Sequence, residues 1–159
     1  MQSIFGDKKP REVFCNRMEK ETKSKLYWSA MITSADQNGN PREVEFRLYI
    51  HKWRIPEPYP QAIYIKIEPS QIQKKPKFLS VDEAMEDPDL RTKPINAILH
   101  GFKRYPEAFR YHPIEDHTEW EIGEPYIPYD LTHGEAEYLK LTIRWNKPTV
   151  DGYLAMTND

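Results

Sequence analysis

Apolar and polar residues alternate strictly along several stretches of this chain. In the clearest stretch, 43–51, every second residue is apolar: Val44, Phe46, Leu48 and Ile50. A period of two buries one face of a strand and leaves the other in water. The preceding stretch, 25–33, is rich in aromatic and β-branched residues, and Asn38-Gly39 between the two is a strong turn signal. These two stretches are predicted to form an antiparallel hairpin.

Other segments have the same strand character. The alternation recurs at 62–68 and at 138–145, and shorter strands are predicted at 12–18, 118–122 and 150–155. The segment 62–68 is expected to form one sheet with the hairpin, with one face of the sheet in water. Three prolines within 53–60 predict a stiff, extended connection before it.

The middle of the chain predicts helices instead. A capping box at 80–83 predicts a short acidic helix over 81–87. From Pro94 onward, Ile95, Ile98, Leu99 and Phe102 have the i, i+3, i+4, i+7 spacing of one helix face. Residues 106–111 would add a turn or two. The sequence therefore predicts an α+β fold, with a mainly antiparallel sheet of about five to seven strands and two or three short helices around residues 80–111.

Length and composition favour one globular domain over 1–159, with a loosely ordered segment at 1–10. The 159 residues include 20 aromatic residues and a single cysteine, Cys15, which is expected to be a packed, inert thiol. No stretch has the apolar length of a signal peptide or a membrane helix. We therefore expect a cytoplasmic protein with no membrane partner.

Sequence motifs for common enzymes are absent. The chain has no P-loop, no glycine-rich dinucleotide fingerprint, no nucleophile elbow and no H-E-x-x-H zinc motif. Catalysis is therefore not the favoured prediction, although it stays open. The alternative is a metal-dependent hydrolase or nuclease with a divalent ion, for which the candidate ligands are His112, Asp116, His117 and His133. On the favoured interpretation no cofactor is expected.

Basic and aromatic residues are interleaved in the first half of the chain. Residues 1–79 have a net charge of +6 and residues 80–159 a net charge of −8. Rings on a sheet can stack on bases while cations neutralise phosphates. The predicted binding residues are Arg47, Tyr49, Lys52, Trp53, Arg54, Tyr64 and Lys66. A second group of the same composition lies at 102–105 and 109–112.

Two other interpretations of these residues stay open. The tyrosines and tryptophan could form a second small core, with arginine and lysine stems packed over them. Aromatic residues beside prolines, at 53–60 and 125–129, are also common where proteins dock. The favoured function is a non-catalytic binding module that takes nucleic acid or protein. The opposite charges of the two halves would also allow homo-oligomers to form.

Overall fold

A computed structural model of the protein describes residues 9–71, 82, 86–114 and 121–145, and antiparallel sheet dominates them. Eight strands form one sheet in the order β3-β2-β1-β4-β8-β5-β6-β7. The strands are β1 (Arg11–Glu21), β2 (Lys25–Ala35), β3 (Pro41–His51), β4 (Ala62–Pro69), β5 (Ile95–Arg104), β6 (Ala108–Pro113), β7 (Tyr126–Pro128) and β8 (Tyr138–Arg144). Single 3₁₀ turns occur at Lys52–Arg54, Leu90–Thr92 and Tyr129–Leu131. The predicted α+β fold is wrong, because strands occupy 95–104 and 108–113.

The sheet curls into a nearly closed barrel. Its two outer strands, β3 and β7, approach each other, and the segment 121–123 lies along the free edge of β3. The amide of His51 donates to the carbonyl of Glu121 at 2.8 Å, and the amide of Gly123 donates to the carbonyl of Tyr49 at 3.0 Å. Ile50 and Ile122 form an antiparallel bridge between these bonds. This pairing therefore gives hydrogen-bond partners to backbone groups of β3 that would otherwise lie on an open sheet edge.

The predicted hairpin is confirmed. Strands β2 and β3 pair in antiparallel register from Lys25 opposite His51 to Ala35 opposite Pro41. Gly39 takes the left-handed conformation in the connecting turn, with φ of 84°. The carboxylate of Asp36 accepts from the amides of Asn38 and Asn40, each at 2.9 Å. Its hydrogen bond from Arg42 and these amides lower its pKa.

The barrel interior is filled by the inward set of each alternating strand. Val44, Phe46, Leu48 and Ile50 of β3 are buried, as the pattern predicted. The other strands contribute the same kind of side chain: Val13, Cys15, Leu26, Trp28, Ile63, Ile65, Ile67, Leu139, Leu141 and Ile143. The outward positions of the same strands are therefore available for a binding surface.

The segment predicted to be a helix from Pro94 is a strand, paired with β6 on one side and with β8 on the other. Ile95, Ala97 and Leu99 are buried in β5, whereas Phe102 is exposed. A Cβ added to Gly101 would lie 2.9 Å from a ring carbon of Phe109, so the absence of a side chain at Gly101 leaves space for that ring. The helical spacing in the sequence combined inward and outward apolar residues of one strand. Most of the other predicted helix, 81–87, and the strand at 150–155 lie outside the described residues.

Burial of Cys15 predicts a slow thiol reaction. Its side chain is completely buried in β1, and burial raises its pKa to about 12. Since the thiolate is the nucleophile, only roughly one molecule in 10⁴ would be reactive at pH 8. We expect a disulfide reagent at pH 8 to modify one thiol per chain promptly in guanidinium chloride and far more slowly in buffer. Equal rates in the two solutions would contradict the buried position.

Candidate functional site

The residues predicted to bind on one face lie on two separated strands. Arg47 and Tyr49 point outward from β3, and Tyr64 and Lys66 occupy outward positions of β4. Strands β2 and β1 lie between β3 and β4. At about 4.8 Å per strand, the two pairs are roughly 14 Å apart around the barrel. The hairpin and β4 therefore belong to one sheet, but the predicted binding residues are not on neighbouring strands.

Neighbouring rings cover much of these outward tyrosines. Tyr27 and Tyr49 pack with ring centroids 4.9 Å apart, and the guanidinium of Arg47 lies 5.1 Å from the Tyr27 ring. Tyr64 packs against Phe14 at 5.2 Å. Burial raises the pKa of Tyr64 to about 12. This part of the outer face resembles the small second core that was one of the alternative interpretations of the sequence.

The three predicted residues that follow β3 lie in a 3₁₀ turn. Lys52 pairs with Glu21 at 2.6 Å, and Trp53 is half-buried. Arg54 is buried, where Nε donates to Glu121 at 2.5 Å and Nη2 donates to the carbonyls of Lys93 and Pro94. Arg54 therefore links its own turn to the segments that contain Glu121 and Lys93, and its buried guanidinium is not accessible to a ligand.

The predicted metal ligands are described only in part, since Asp116 and His117 lie outside the described residues. His112 is on the outer face of β6, near His100. His133 is buried, and its Nε2 lies 2.9 Å from the carbonyl oxygen of Ile67. Within the described part of the chain, no three histidine, cysteine or carboxylate side chains form a group that could hold a metal.

The second basic and aromatic group forms a continuous surface on β5, β6, β7 and β8. Six rings and two cations make up this surface, which we call the aromatic row: Tyr138, His100, His112, Phe102, Tyr126, Tyr105, Arg110 and Lys103. The rings come from four strands and the turn after β5. Strand pairing brings them together, because β5 lies between β8 and β6.

One half of the aromatic row is built around two histidines. His100 stacks on Tyr138 with centroids 4.8 Å apart, and His112 meets His100 edge-on at 5.5 Å. Phe102 contacts His112 edge-on at 5.1 Å. The side chain of Glu137 lies 3.3 Å from Nε2 of His100. This half is mainly aromatic, with one carboxylate at its edge.

The other half carries the fixed positive charges. The guanidinium of Arg110 lies 5.2 Å from the ring centre of Phe102 and 5.1 Å from that of Tyr126. Tyr105 meets Tyr126 edge-on at 5.1 Å, and the ammonium of Lys103 is 5.1 Å from the Tyr105 ring. Cations at these distances from ring faces are in the range of cation–π attraction.

Two cations, Lys103 and Arg110, and one carboxylate, Glu124, lie at this end of the row. Hydrogen bonds from Arg110 and then Tyr126 lower the pKa of the Tyr105 phenol, and Lys103 lowers it further. Arg110 also pairs with Glu124 at 2.6 Å. Outward positions of β4, β5, β6 and β8 carry five cations and one carboxylate: Lys66, Lys103, Arg110, Lys140, Arg144 and Glu68.

Solvent exposure distinguishes the aromatic row from the buried tyrosines on β2 and β4. Phe102 is 45% exposed and Tyr126 is 43% exposed, against 6% for Tyr27 and 5% for Tyr64. Contiguous exposed apolar area on a protein surface is a mark of a binding site. The row therefore offers partly exposed rings beside cations, and it is the strongest candidate site on the described surface.

A cleft of about 570 Å³ at one end of the barrel is the second candidate. It is lined by charged groups of both signs, among them Arg11, Asp36, Arg104, Asp130 and Glu135. Asp36 pairs with Arg42 at 2.8 Å, and Arg104 pairs with Glu135 at 2.7 Å. Much of its charge is therefore already compensated within the protein.

Sequence reasoning found part of the aromatic row and missed the rest. The segments 102–105 and 109–112 were identified as a second group, but Phe109 and Tyr111 point inward, and Tyr111 is buried. His100, Tyr126 and Tyr138 were missed as members. Tyr138 is an outward position of a strand whose alternation was predicted, and that was the available signal.

Comparison with protein-family models, with curated proteins and with solved structures finds no match to this chain. Among the described residues, no helix has the length and apolar character needed to cross a membrane.

Proposed function

We propose that the protein is a non-catalytic binding module that holds nucleic acid against the aromatic row. The observation that carries this proposal is the unbroken contact of six rings with two cations on the outer face of the barrel. Each base has a flat face that can stack on an aromatic ring, and each phosphate can pair with lysine or arginine.

Energetics make an aromatic surface of this size adequate for binding. Each stacked base contributes on the order of 1–3 kcal/mol. Two or three such contacts, at Phe102 and Tyr126 above all, would outweigh the small electrostatic term from Lys103 and Arg110. The net charge of −2 for the whole chain therefore does not oppose the proposal, because stacking and not charge would supply most of the affinity.

Phe102→Ala and Tyr126→Ala are each expected to weaken binding of a fluorescein-labelled oligonucleotide about tenfold, since each removes one stacking ring. Fluorescence anisotropy at fixed salt measures the affinity. Phe14→Ala is the matched control, because Phe14 is also 45% exposed but lies on β1, outside the row. Arg110→Gln should reduce the slope of log affinity against log salt by about 0.7–0.9.

Two results would overturn the proposal. One is the absence of binding by single-stranded or duplex DNA or RNA at low salt. The other is an equal loss of affinity in Phe14→Ala and Phe102→Ala, which would place the contact elsewhere. A protein partner that binds the unaltered chain and is lost only in the row variants, with no nucleic-acid binding, would assign the surface to protein recognition.

A further inference from the structure

We infer that the aromatic row selects single-stranded over duplex nucleic acid and accommodates no more than about six bases. This inference rests on the function proposed above and specifies its substrate class. It starts from the geometry of the rings. Four of them follow one another from Tyr138 to Phe102 with centroids 4.8–5.5 Å apart, and the guanidinium of Arg110 joins Phe102 to the pair Tyr126 and Tyr105.

The rings can contact only unpaired bases through their faces. In a duplex, both faces of each internal base are stacked on neighbouring bases, so an external ring reaches the groove edges and the backbone. Nearly half of Phe102 and of Tyr126 is exposed, beside the guanidinium of Arg110, so each ring has surface left for such a contact. Stacking on such platforms is the way in which sequence-tolerant proteins hold single strands.

The curvature of the surface also favours a single strand. The row crosses β8, β5, β6 and β7 on the convex side of a nearly closed barrel. A duplex is stiff, with a persistence length of about 150 base pairs, so it would touch such a surface over a short length only. A single strand can follow the curve from one ring to the next.

The number of rings limits the length of nucleic acid that is bound. With at most one base per ring, six rings accommodate no more than six bases, a limit within the range of roughly 4–16 nucleotides known for single-strand binding folds. Only two lysine or arginine side chains, Lys103 and Arg110, belong to the row. If these two side chains neutralise two phosphates, the slope of log affinity against log salt concentration should be about −1.4 for a single strand.

The test uses the full chain and labelled thymidine oligomers of 2, 4, 6, 10 and 20 nucleotides, with a 20-base-pair duplex as comparison. We expect affinity to rise steeply up to about six nucleotides and then to increase only with the number of binding positions. The duplex should bind at least tenfold more weakly than the 20-nucleotide strand. The salt slope at pH 8 should be about −1.4 for the six-nucleotide strand.

The two proposals fail in different ways. If no nucleic acid binds, both are overturned. If the duplex binds as tightly as the single strand, or Arg110→Gln weakens binding while Phe102→Ala does not, single-strand selection is wrong and a nucleic-acid surface is retained. A steep rise in affinity that continues to 20 nucleotides would overturn the six-base limit. Near-ultraviolet circular dichroism of each variant confirms that the barrel is intact.

Discussion

Glu121→Ala is expected to destabilise the protein by about 3–5 kcal/mol, because it leaves the charge of Arg54 buried without a counter-ion. The side chain of Arg54 is only 2% exposed, and its Nε lies 2.5 Å from the Glu121 carboxylate. Glu121 also belongs to the segment that closes the barrel along β3. Urea unfolding followed by tryptophan fluorescence should show the loss, with a fall in Tm on the order of 10 °C.

A second ion pair provides the matched control for this variant. Lys52 and Glu21 are 2.6 Å apart, but the side chain of Glu21 is 51% exposed. Glu21→Ala should therefore cost less than about 1 kcal/mol. The double variant Arg54→Met with Glu121→Ala should recover much of the stability, because it removes the buried charge as well as its partner. Equal costs for Glu121→Ala and Glu21→Ala would contradict this account.

The pair of Arg54 and Glu121 also shows why the sequence could not predict that Arg54 is buried. Arg54 lies beside Trp53 in a basic and aromatic segment, which is typical of a binding surface. Its burial depends on Glu121, 67 residues away, and on the carbonyls of Lys93 and Pro94. Contacts across such separations depend on the order of strands in the sheet, and a local pattern does not contain that order.

The accuracy of the strand predictions depended on the size of the inward residues. In β3 the inward set is Val44, Phe46, Leu48 and Ile50, so alternation was visible and the hairpin was correct. In β5 the inward set includes Ala97 and Gly101, while Phe102 points outward. Exposed apolar residues such as Phe102 therefore gave β5 the apolar spacing of a helix face.

The sequence indicates which segments of the aromatic row are rich in aromatic and basic residues, but it does not indicate which rings lie side by side. The segments on β5 and β6 are close in the sequence and were recognised together. Tyr138 joins them only because β8 pairs with β5, where His100 lies opposite Tyr138. Pairing between strands about 40 residues apart is decided by packing of the whole barrel, so the complete row becomes visible only in the fold.

Trp28→Ala is expected to cost about 3–5 kcal/mol, the usual range for deletion of a buried large aromatic residue. Trp28 is fully buried among the inward residues of the barrel, and its Nε1 donates to the carbonyl of Pro60 at 3.1 Å. Alanine would leave a cavity and an unpaired carbonyl in the interior. Trp28→Phe keeps most of the ring but loses the hydrogen bond, so it should fall between Trp28→Ala and the unaltered protein.

A residue three positions further along β2 tests whether this cost comes from burial. Met31 points outward and is 61% exposed, so Met31→Ala should change the free energy of unfolding by no more than about 0.5 kcal/mol. Urea unfolding monitored by circular dichroism suits the whole series, because it does not depend on the tryptophan that is removed. A Trp28→Ala variant as stable as Met31→Ala would show that the barrel interior is not packed around Trp28. If Trp28→Ala loses about 3–5 kcal/mol of stability, its folded fraction should still bind as the unaltered protein does in the nucleic-acid assay proposed above. Trp28 points inward, whereas the aromatic row lies on the outer face of other strands.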